Sequence, residues 1–247
     1  MDKTTKNLLI SYAAEYETDA FISGDPSWFM HQVSGKENQE VTAFVASCLS
    51  YGSRSLFMPK IQWLLECASG NMYEWVLSGR FAEKMGADCR ECFYRFYTFR
   101  QMNAFLSRLQ QMLQEYGSMG YYVRQHARGD ALSAIESICQ WFADSSVGHI
   151  VPKNTQSSCK RICMFLRWMV RSGSPVDLGL WADFIDRRTL IMPLDTHVLQ
   201  QSVRLGLLQS KTATMSTARR LTDKLSTIFP DDPLKGDFAL FGYGVSL

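Results

Sequence analysis

Residues 40–52, with the sequence EVTAFVASCLSYG, decide the fold class of this chain. The apolar residues of this stretch recur at spacings of three and four, so they lie on one face of a helix. They are Val41, Phe44, Val45, Cys48 and Leu49. The same spacing recurs from end to end of the chain, whereas alternating polar and apolar runs are scarce. The sequence therefore predicts an all-α fold.

Helical periodicity and the Gly and Pro positions predict the order of the elements. The predicted helices cover residues 5–16, 28–33, 38–52, 56–68, 72–78, 91–117 with a break near Phe99, 121–125, 131–144, 159–172, 178–185, 195–205, 216–228 and 235–243. Between them, the polar stretch 145–158 carries Gly148 and Pro152 and is typical of a loop. We predict a single helical domain over residues 1–247, with a hinge near 145–158.

Composition excludes several classes of protein. The 247 residues are 46% hydrophobic, which is enough to bury a sizeable core without disulfides. Seven cysteines, an odd number spread along the chain, favour a reducing compartment, so we expect a cytoplasmic protein. Cys89 and Cys92 form a single pair with no second pair to complete a metal site, and two ordinary helix cysteines are the simpler interpretation. We expect no metal, no cofactor and no membrane partner, and the oligomeric state is left open.

Positive charge is concentrated in one part of the chain. Residues 150–224 contain twelve Lys and Arg against five Asp and no Glu, a net charge of +7 in a chain whose total is +2. Such a segment suits a surface that faces a polyanion, because phosphate contacts supply most of the sequence-independent affinity for nucleic acid. A solvated basic face is an equally good interpretation of the charge alone.

The first candidate catalytic residue lies in MPLDTHVLQQSVRLGLL, residues 192–208. Pro193 leads into a helix predicted to begin at Asp195. An aspartate there commonly accepts hydrogen bonds from backbone N–H groups as a helix cap, which is the ordinary interpretation. The helix dipole also stabilises a carboxylate at this position, as a group that stabilises a cationic transition state requires. Asp195 can serve in both roles at once.

The second candidate lies in CKRICMFLRWMVR, residues 159–171. Lys160 opens this helix directly after the polar loop. The helix dipole opposes a cation there, which favours the neutral amine of a nucleophile; a plain surface lysine is the alternative. Arg161, Arg167 and Arg171 are predicted to face outward as DNA contacts.

Further candidate residues each have a structural role as an alternative interpretation. Arg187, Arg188 and Arg204 are predicted phosphate contacts. His197 is a predicted DNA contact, with packing beside the cap as its alternative. Three residues are predicted to line a pocket for a base, namely Arg95, Phe96 and Asp237. For Arg95 and Phe96, which lie in an aromatic segment, core packing is the alternative. For Asp237, capping of the last helix is the alternative.

Three of these features resemble the helix-hairpin-helix-GPD superfamily of DNA glycosylases: the apolar helix 40–52, a lysine that opens a helix, and PLDTHVLQQSVRLGL after it. The resemblance implies an all-α, two-lobed fold with a cleft between the lobes. It implies that Asp195 assists loss of the base and that Lys160 attacks the sugar C1′, as in the bifunctional members. The 35 residues between the two are similar to the spacing in archaeal 8-oxoguanine glycosylases. The Leu-Pro-Gly-Val-Gly-like hairpin of the superfamily is not visible.

A nearer resemblance, to a bacterial family of unknown function, is carried by CKR..MFLRWMVR, DLGLW, PLDTHV and DPLKGDFALFGYGV. The first functional hypothesis is a glycosylase, with or without AP-lyase activity, that acts on double-stranded DNA with a damaged base, such as an oxidised purine. The second is a non-catalytic nucleic-acid-binding protein on the same scaffold, and the missing hairpin favours it. The third is a helical protein-interaction domain.

Overall fold

The computed structural model describes residues 2–210 and 212–246; Met1, Lys211 and Leu247, and the side chain of Ser145, lie outside the described part. The all-α prediction is confirmed, since thirteen α-helices and one small sheet form the described chain. The helices are α1 (Lys3–Tyr16), α2 (Asp19–Ile22), α3 (Trp28–His31), α4 (Lys36–Leu49), α5 (Arg54–Cys67), α6 (Met72–Leu77), α7 (Phe99–Tyr116), α8 (Met119–His126), α9 (Ala131–Trp141), α10 (Lys160–Val170), α11 (Thr196–Arg204), α12 (Met215–Ser226) and α13 (Lys235–Val245). Strands β1 (Cys92–Tyr94) and β2 (Tyr97–Thr98) pair antiparallel. Single 3-10 turns occupy Arg80–Glu83, Ser145–Val147 and Arg187–Thr189.

The chain divides into two compact units, and neither is one continuous stretch. Unit 1 combines Met1–Asp25, Gly129–Ile135 and Thr155–Leu247, and unit 2 combines Pro26–Arg128 and Glu136–Asn154. The change at residues 154 and 155 falls within the loop 145–158. The hinge and the cleft stay predictions.

Helix α4 is the centre of unit 2, in agreement with its sequence pattern. It contacts α3, α5, α6 and α8, and its predicted core face is fully buried. Phe44 packs against Phe105 and Phe142 with ring centroids 5.8 and 5.3 Å away. The buried carboxylate of Glu40 accepts hydrogen bonds from the backbone N–H groups of Met119 and Gly120 at 2.8 and 2.9 Å. A side chain of α4 therefore binds two N–H groups of the first turn of α8, which have no partner within their own helix.

Unit 1 is built around α10 and the pair α1 and α13. Every residue of α10 from Ile162 to Val170 is buried, so beyond its first two residues this helix has no solvent-facing side. Helix α13 packs along α1, and a Cβ on Gly242 would run into the ring of Tyr16. The absence of a side chain at Gly242 therefore lets the two helices approach closely.

Two predicted helical segments are wrong, and one predicted helix ends earlier than expected. Residues 91–98 form the β1–β2 hairpin rather than the start of a helix, because Thr98 caps α7 in a reciprocal capping box with Gln101 and the helix begins only at Phe99. Cys89 and Cys92 therefore lie outside any helix. Residues 178–185 form successive turns, and α4 ends at Leu49 instead of Gly52.

No described helix is long and apolar enough to cross a membrane. All seven cysteines are free thiols.

Candidate active site

Lys160 is the first residue of α10, as its sequence position predicts. The residue before it, Cys159, has the left-handed φ of +47°, which a side chain rarely adopts and which turns the chain sharply into the helix. The buried thiol of Cys163 donates to the Ser158 carbonyl oxygen at 3.4 Å. Burial raises the pKa of the Cys163 thiol, so this sulfur is a neutral structural group and no competitor of Lys160 as a nucleophile.

Asp195 is the N-cap of α11, and its two oxygens have different partners. Oδ1 accepts the backbone N–H of Val198 at 2.9 Å, which confirms the predicted cap. Oδ2 lies 3.7 Å from the Nζ of Lys160. The cap therefore fixes the carboxylate in an orientation that leaves one oxygen directed at the lysine.

The structure thus brings together the two predicted catalytic residues, which are 35 positions apart in sequence. Their side chains are 29% and 41% exposed, so a ligand from solution can reach both. A hydrogen bond of Ser158 helps to keep the two residues together: its buried Oγ donates to the carbonyl oxygen of Leu194 at 2.8 Å. One hydrogen bond therefore ties the segment that ends at Lys160 to the segment that ends at Asp195.

Asp237 is a third group of the same site. It lies in the first turn of α13, and its side chain is 15% exposed. Its Oδ2 accepts a short hydrogen bond from Arg167. Burial raises the pKa of the Asp237 carboxyl and the charge of Asp195 adds to this effect, while Arg167 and Lys160 act in the opposite direction. Asp237 is therefore within electrostatic reach of both Lys160 and Asp195. The predicted alternative that it caps α13 is wrong, because its carboxylate pairs with an arginine instead.

Behind Asp237, a network of buried charges runs through unit 1. Arg167 joins Asp237 to Asp177, and Asp177 in turn accepts from Arg171. Arg171 also binds Asp232 through two nitrogens, with distances of 2.9 and 2.8 Å. Burial opposes the charge of Arg171, yet the hydrogen bonds that it donates to Asp232 and the charges of the neighbouring carboxylates raise its pKa. Its guanidinium is therefore a permanent cation inside the protein.

The prediction that Arg167 and Arg171 face outward as DNA contacts is wrong. Their side chains are 4% and 2% exposed, and their guanidinium groups form ion pairs with carboxylates of the protein. The apolar pattern of α10 predicts one buried face, but every residue from Ile162 to Arg171 is buried, so a charged residue in this stretch requires an internal partner. Two of the twelve basic residues of segment 150–224 are thereby removed from the surface.

The other predicted contact residues lie at the surface of their own units. In unit 1, Arg187, Arg188, His197 and Arg204 are exposed, and Arg161 is half-buried. Arg188 forms an ion pair with Asp186, and the Nε of Arg187 donates to the carbonyl oxygen of Asp231. A Cβ on Gly244 would lie 2.7 Å from the Nε2 of His197, so this imidazole packs against α13 beside the cap.

The predicted base-pocket residues Arg95 and Phe96 belong to unit 2. Both are exposed and occupy the turn between β1 and β2, while their neighbours Tyr94 and Tyr97 are only 4% exposed. Core packing was the alternative interpretation of this aromatic segment. It is correct for Tyr94 and Tyr97, which are buried, and wrong for Phe96, which is exposed.

A polar cavity of about 410 Å³ lies at the far end of the charge network. Its walls include Glu17, Arg171 and Asp232 together with the turn 172–174 and the segment 228–232.

Among the described residues, no cluster of His, Cys, Asp and Glu has the arrangement that a metal ion requires.

Sequence reasoning missed the residues that hold the site together. Ser158 is one polar residue in a polar loop, and nothing in its neighbourhood marks it as buried. Glu17 pairs with Arg171 across 154 positions, and Asp177 and Asp232 follow this arginine by 6 and 61 positions. The only available signal was a pair of arginines at a spacing of four, one inside and one directly after a stretch that is otherwise apolar from Ile162 to Val170.

A family model described as a protein of unknown function (DUF2400) matches residues 25–246. The matched range contains every candidate residue named above. No curated protein and no solved structure matches the chain.

Proposed function

The chain belongs to the DUF2400 family, and we propose that it is a DNA glycosylase with AP-lyase activity, which removes a damaged base such as an oxidised purine. The observation that carries this proposal is the 3.7 Å approach of the Lys160 Nζ to the Asp195 Oδ2 at a solvent-accessible helix start. An amine beside a carboxylate, with the carboxylate oriented by a helix N-terminus, is the pair that attack on a sugar carbon requires.

The proposed reaction assigns one role to each residue. The lone pair of the Lys160 amine forms a bond to C1′ of the damaged nucleotide, and the C1′–N bond breaks, so its electron pair leaves with the base. Asp195 stabilises the positive charge that develops on the sugar and accepts the proton that the amine releases. Opening of the sugar ring gives a Schiff base. Loss of a proton from C2′ then breaks the C3′–O bond by β-elimination, and hydrolysis frees the lysine.

Exposed cations of unit 1 support double-stranded DNA as the partner. Arg204, Arg219, Arg220 and Lys224 are all exposed, which leaves them accessible to phosphate oxygens. We propose that these residues, rather than Arg167 and Arg171, supply the phosphate contacts of this unit. Reduced cysteines are characteristic of the cytoplasm, and we extend the proposal to that location.

The test is borohydride trapping on duplexes that carry an abasic site, 8-oxoguanine or uracil. Borohydride reduces the Schiff base to a stable amine, so we expect a covalent adduct with the wild-type protein. Lys160→Arg is the decisive variant, because it keeps the cation beside Asp195 but has no primary amine. Lys6→Arg is the matched control, at an exposed lysine of the same unit to which no DNA contact is assigned. An adduct that persists in Lys160→Arg, or no adduct and no base release on any duplex, would contradict the proposal.

A second candidate function is a nucleic-acid-binding protein without this chemistry. The ion pair itself favours it, because a lysine that only neutralises the Asp195 carboxylate has the same geometry. Salt-dependent DNA binding without base release or trapping on any duplex would establish this alternative.

A further inference from the structure

The β1–β2 hairpin presents an aromatic side chain on a rigid support. Phe96 is 81% exposed at the tip of the turn, the largest exposure recorded for a large hydrophobic residue of the described chain. The strands on either side are anchored: the Tyr94 hydroxyl donates to the Tyr51 carbonyl oxygen, and the Tyr97 hydroxyl donates to the His149 carbonyl oxygen at 3.2 Å. The exposed ring therefore stands on a base that is fixed within unit 2.

Arg95, the other tip residue, has an unusual backbone conformation. Its φ is +52°, a region in which Gly or Asn is the ordinary choice for a hairpin turn. The Sγ of Cys92 donates to its carbonyl oxygen at 3.2 Å, which closes the turn around it. A non-glycine residue at such a φ is uncommon, and residues of this kind cluster at functional sites, which makes Arg95 a candidate contact residue.

Contacts of the Arg95 guanidinium confirm that this side chain is positioned. It lies over the Tyr51 ring at 5.3 Å and over the Phe96 ring at 5.8 Å. A Cβ on Gly52 would collide with it, so the neighbouring loop leaves space for this cation. The tip thus combines a cation and an exposed aromatic face in one arrangement.

The charge of the hairpin is complementary to a polyanion. Residues 89–100 carry Arg90, Arg95 and Arg100 against the single acidic residue Glu91. The backbone N–H of Arg100 donates to the Cys89 carbonyl oxygen at 2.8 Å. This bond closes the base of the hairpin and keeps the backbone of Arg100 near that of Arg90, the residue after Cys89. An acidic protein partner or a purely apolar one would leave either the ring or the cations without a matching group.

We propose that the hairpin tip binds nucleic acid, with Phe96 stacked on an unpaired nucleobase of DNA and Arg95 in contact with the adjoining phosphate. Every nucleobase has a π face, so an exposed aromatic ring binds an unpaired base without regard to sequence, and a neighbouring arginine adds the phosphate contact. This inference rests on DNA as the partner in the proposed function, but it requires no glycosylase chemistry.

The experiment measures binding of a duplex with one unpaired 2-aminopurine and of the fully paired duplex. We expect the fluorescence of the unpaired base to change on binding and the affinity for this duplex to fall about tenfold in Phe96→Ala. Phe96→Trp should restore both, because it keeps an aromatic face. Tyr121→Ala, at another exposed aromatic residue of unit 2, is the matched control and should bind as the wild type does.

A second variant tests the cation. Arg95→Gly suits the backbone at φ +52° and should fold normally, and it should lower the slope of log affinity against log salt by about one. If the wild-type protein binds both duplexes and Phe96→Ala leaves affinity and fluorescence unchanged, the inference is wrong while the proposed function stands. If Phe96→Ala instead abolishes self-association in sedimentation, the ring is a protein contact and the inference is also wrong. If borohydride trapping fails but DNA binding still depends on Phe96, the glycosylase proposal is wrong and this inference stands.

Discussion

The hydroxyl of Ser158 donates a 2.8 Å hydrogen bond to the carbonyl oxygen of Leu194. Ser158 lies two residues before Lys160, and Leu194 directly precedes Asp195. This buried contact therefore joins the two chain segments from which the candidate catalytic side chains project.

Ser158→Ala should weaken both stability and trapping. The variant leaves a buried carbonyl oxygen without this donor, which costs about 1–2 kcal/mol of unfolding free energy. The two segments also lose their direct connection, so we expect the rate of borohydride trapping on abasic DNA to fall. Urea unfolding and trapping time courses measure the two effects. Ser172→Ala, at an exposed serine of the same unit, is the control; a trapping rate equal to that of the wild type would show that the contact does not position the pair.

Substitutions at Asp195 should separate its role as a cap from its role in chemistry. Asn caps helices as well as Asp does, so Asp195→Asn should change the unfolding free energy by less than about 0.5 kcal/mol and yet abolish turnover, because the amide has no negative charge. Asp195→Ala should lose turnover and, in addition, about 1 kcal/mol of stability. Thermal unfolding and base-release assays on the same preparations distinguish the two. Activity retained in Asp195→Asn would remove this residue from the mechanism.

Arg171→Ala should be strongly destabilising. It leaves Asp177, Asp232 and Glu17 without their shared cation, and an unpaired buried charge costs about 3–5 kcal/mol. Arg204→Ala, at an exposed arginine of α11, should stay within about 0.5 kcal/mol of the wild type. Urea denaturation gives both values. A loss below about 1 kcal/mol in Arg171→Ala would mean that the network is not a source of stability.

Tyr122 should make the protein sensitive to alkali. Its buried hydroxyl donates to the Ser137 carbonyl oxygen at 3.0 Å, and burial raises the pKa of Tyr122 to about 12 from the ordinary 10.0. A pKa raised in the folded state contributes stability that is complete below pH 10 and is lost as the pH rises towards 12.

Relative to Tyr122→Phe, which cannot ionise, the wild type should therefore lose about 1–2 kcal/mol across this window. Urea unfolding at pH 8, 10 and 11.5 measures the difference, and Tyr121→Phe at an exposed tyrosine is the control. The same stability difference at all three pH values would contradict the prediction.

The sequence by itself determined the fold class and the local features of the site. Helical spacing is a property of neighbours along the chain, so the buried face of α4 was predicted residue by residue. The cap at Asp195 and the position of Lys160 at a helix start also depend only on adjacent residues, and both were predicted correctly. The pairing of these two residues was expected from a resemblance rather than from spacing, since no local rule joins positions 160 and 195.

The tertiary structure alone decided where the charges lie. The sequence predicts that Arg167 and Arg171 face outward. Their burial is possible only because other parts of the chain supply carboxylates to them. These are Glu17, Asp177, Asp232 and Asp237. The hairpin at 92–98 was missed for a related reason: aromatic and charged residues at mixed spacing fit either a helix or two short strands until the anchoring carbonyl groups of Tyr51 and His149 are present. Burial of a charge depends on partners distant in sequence, because the cost of desolvation is offset only where an opposite charge is brought within hydrogen-bond distance.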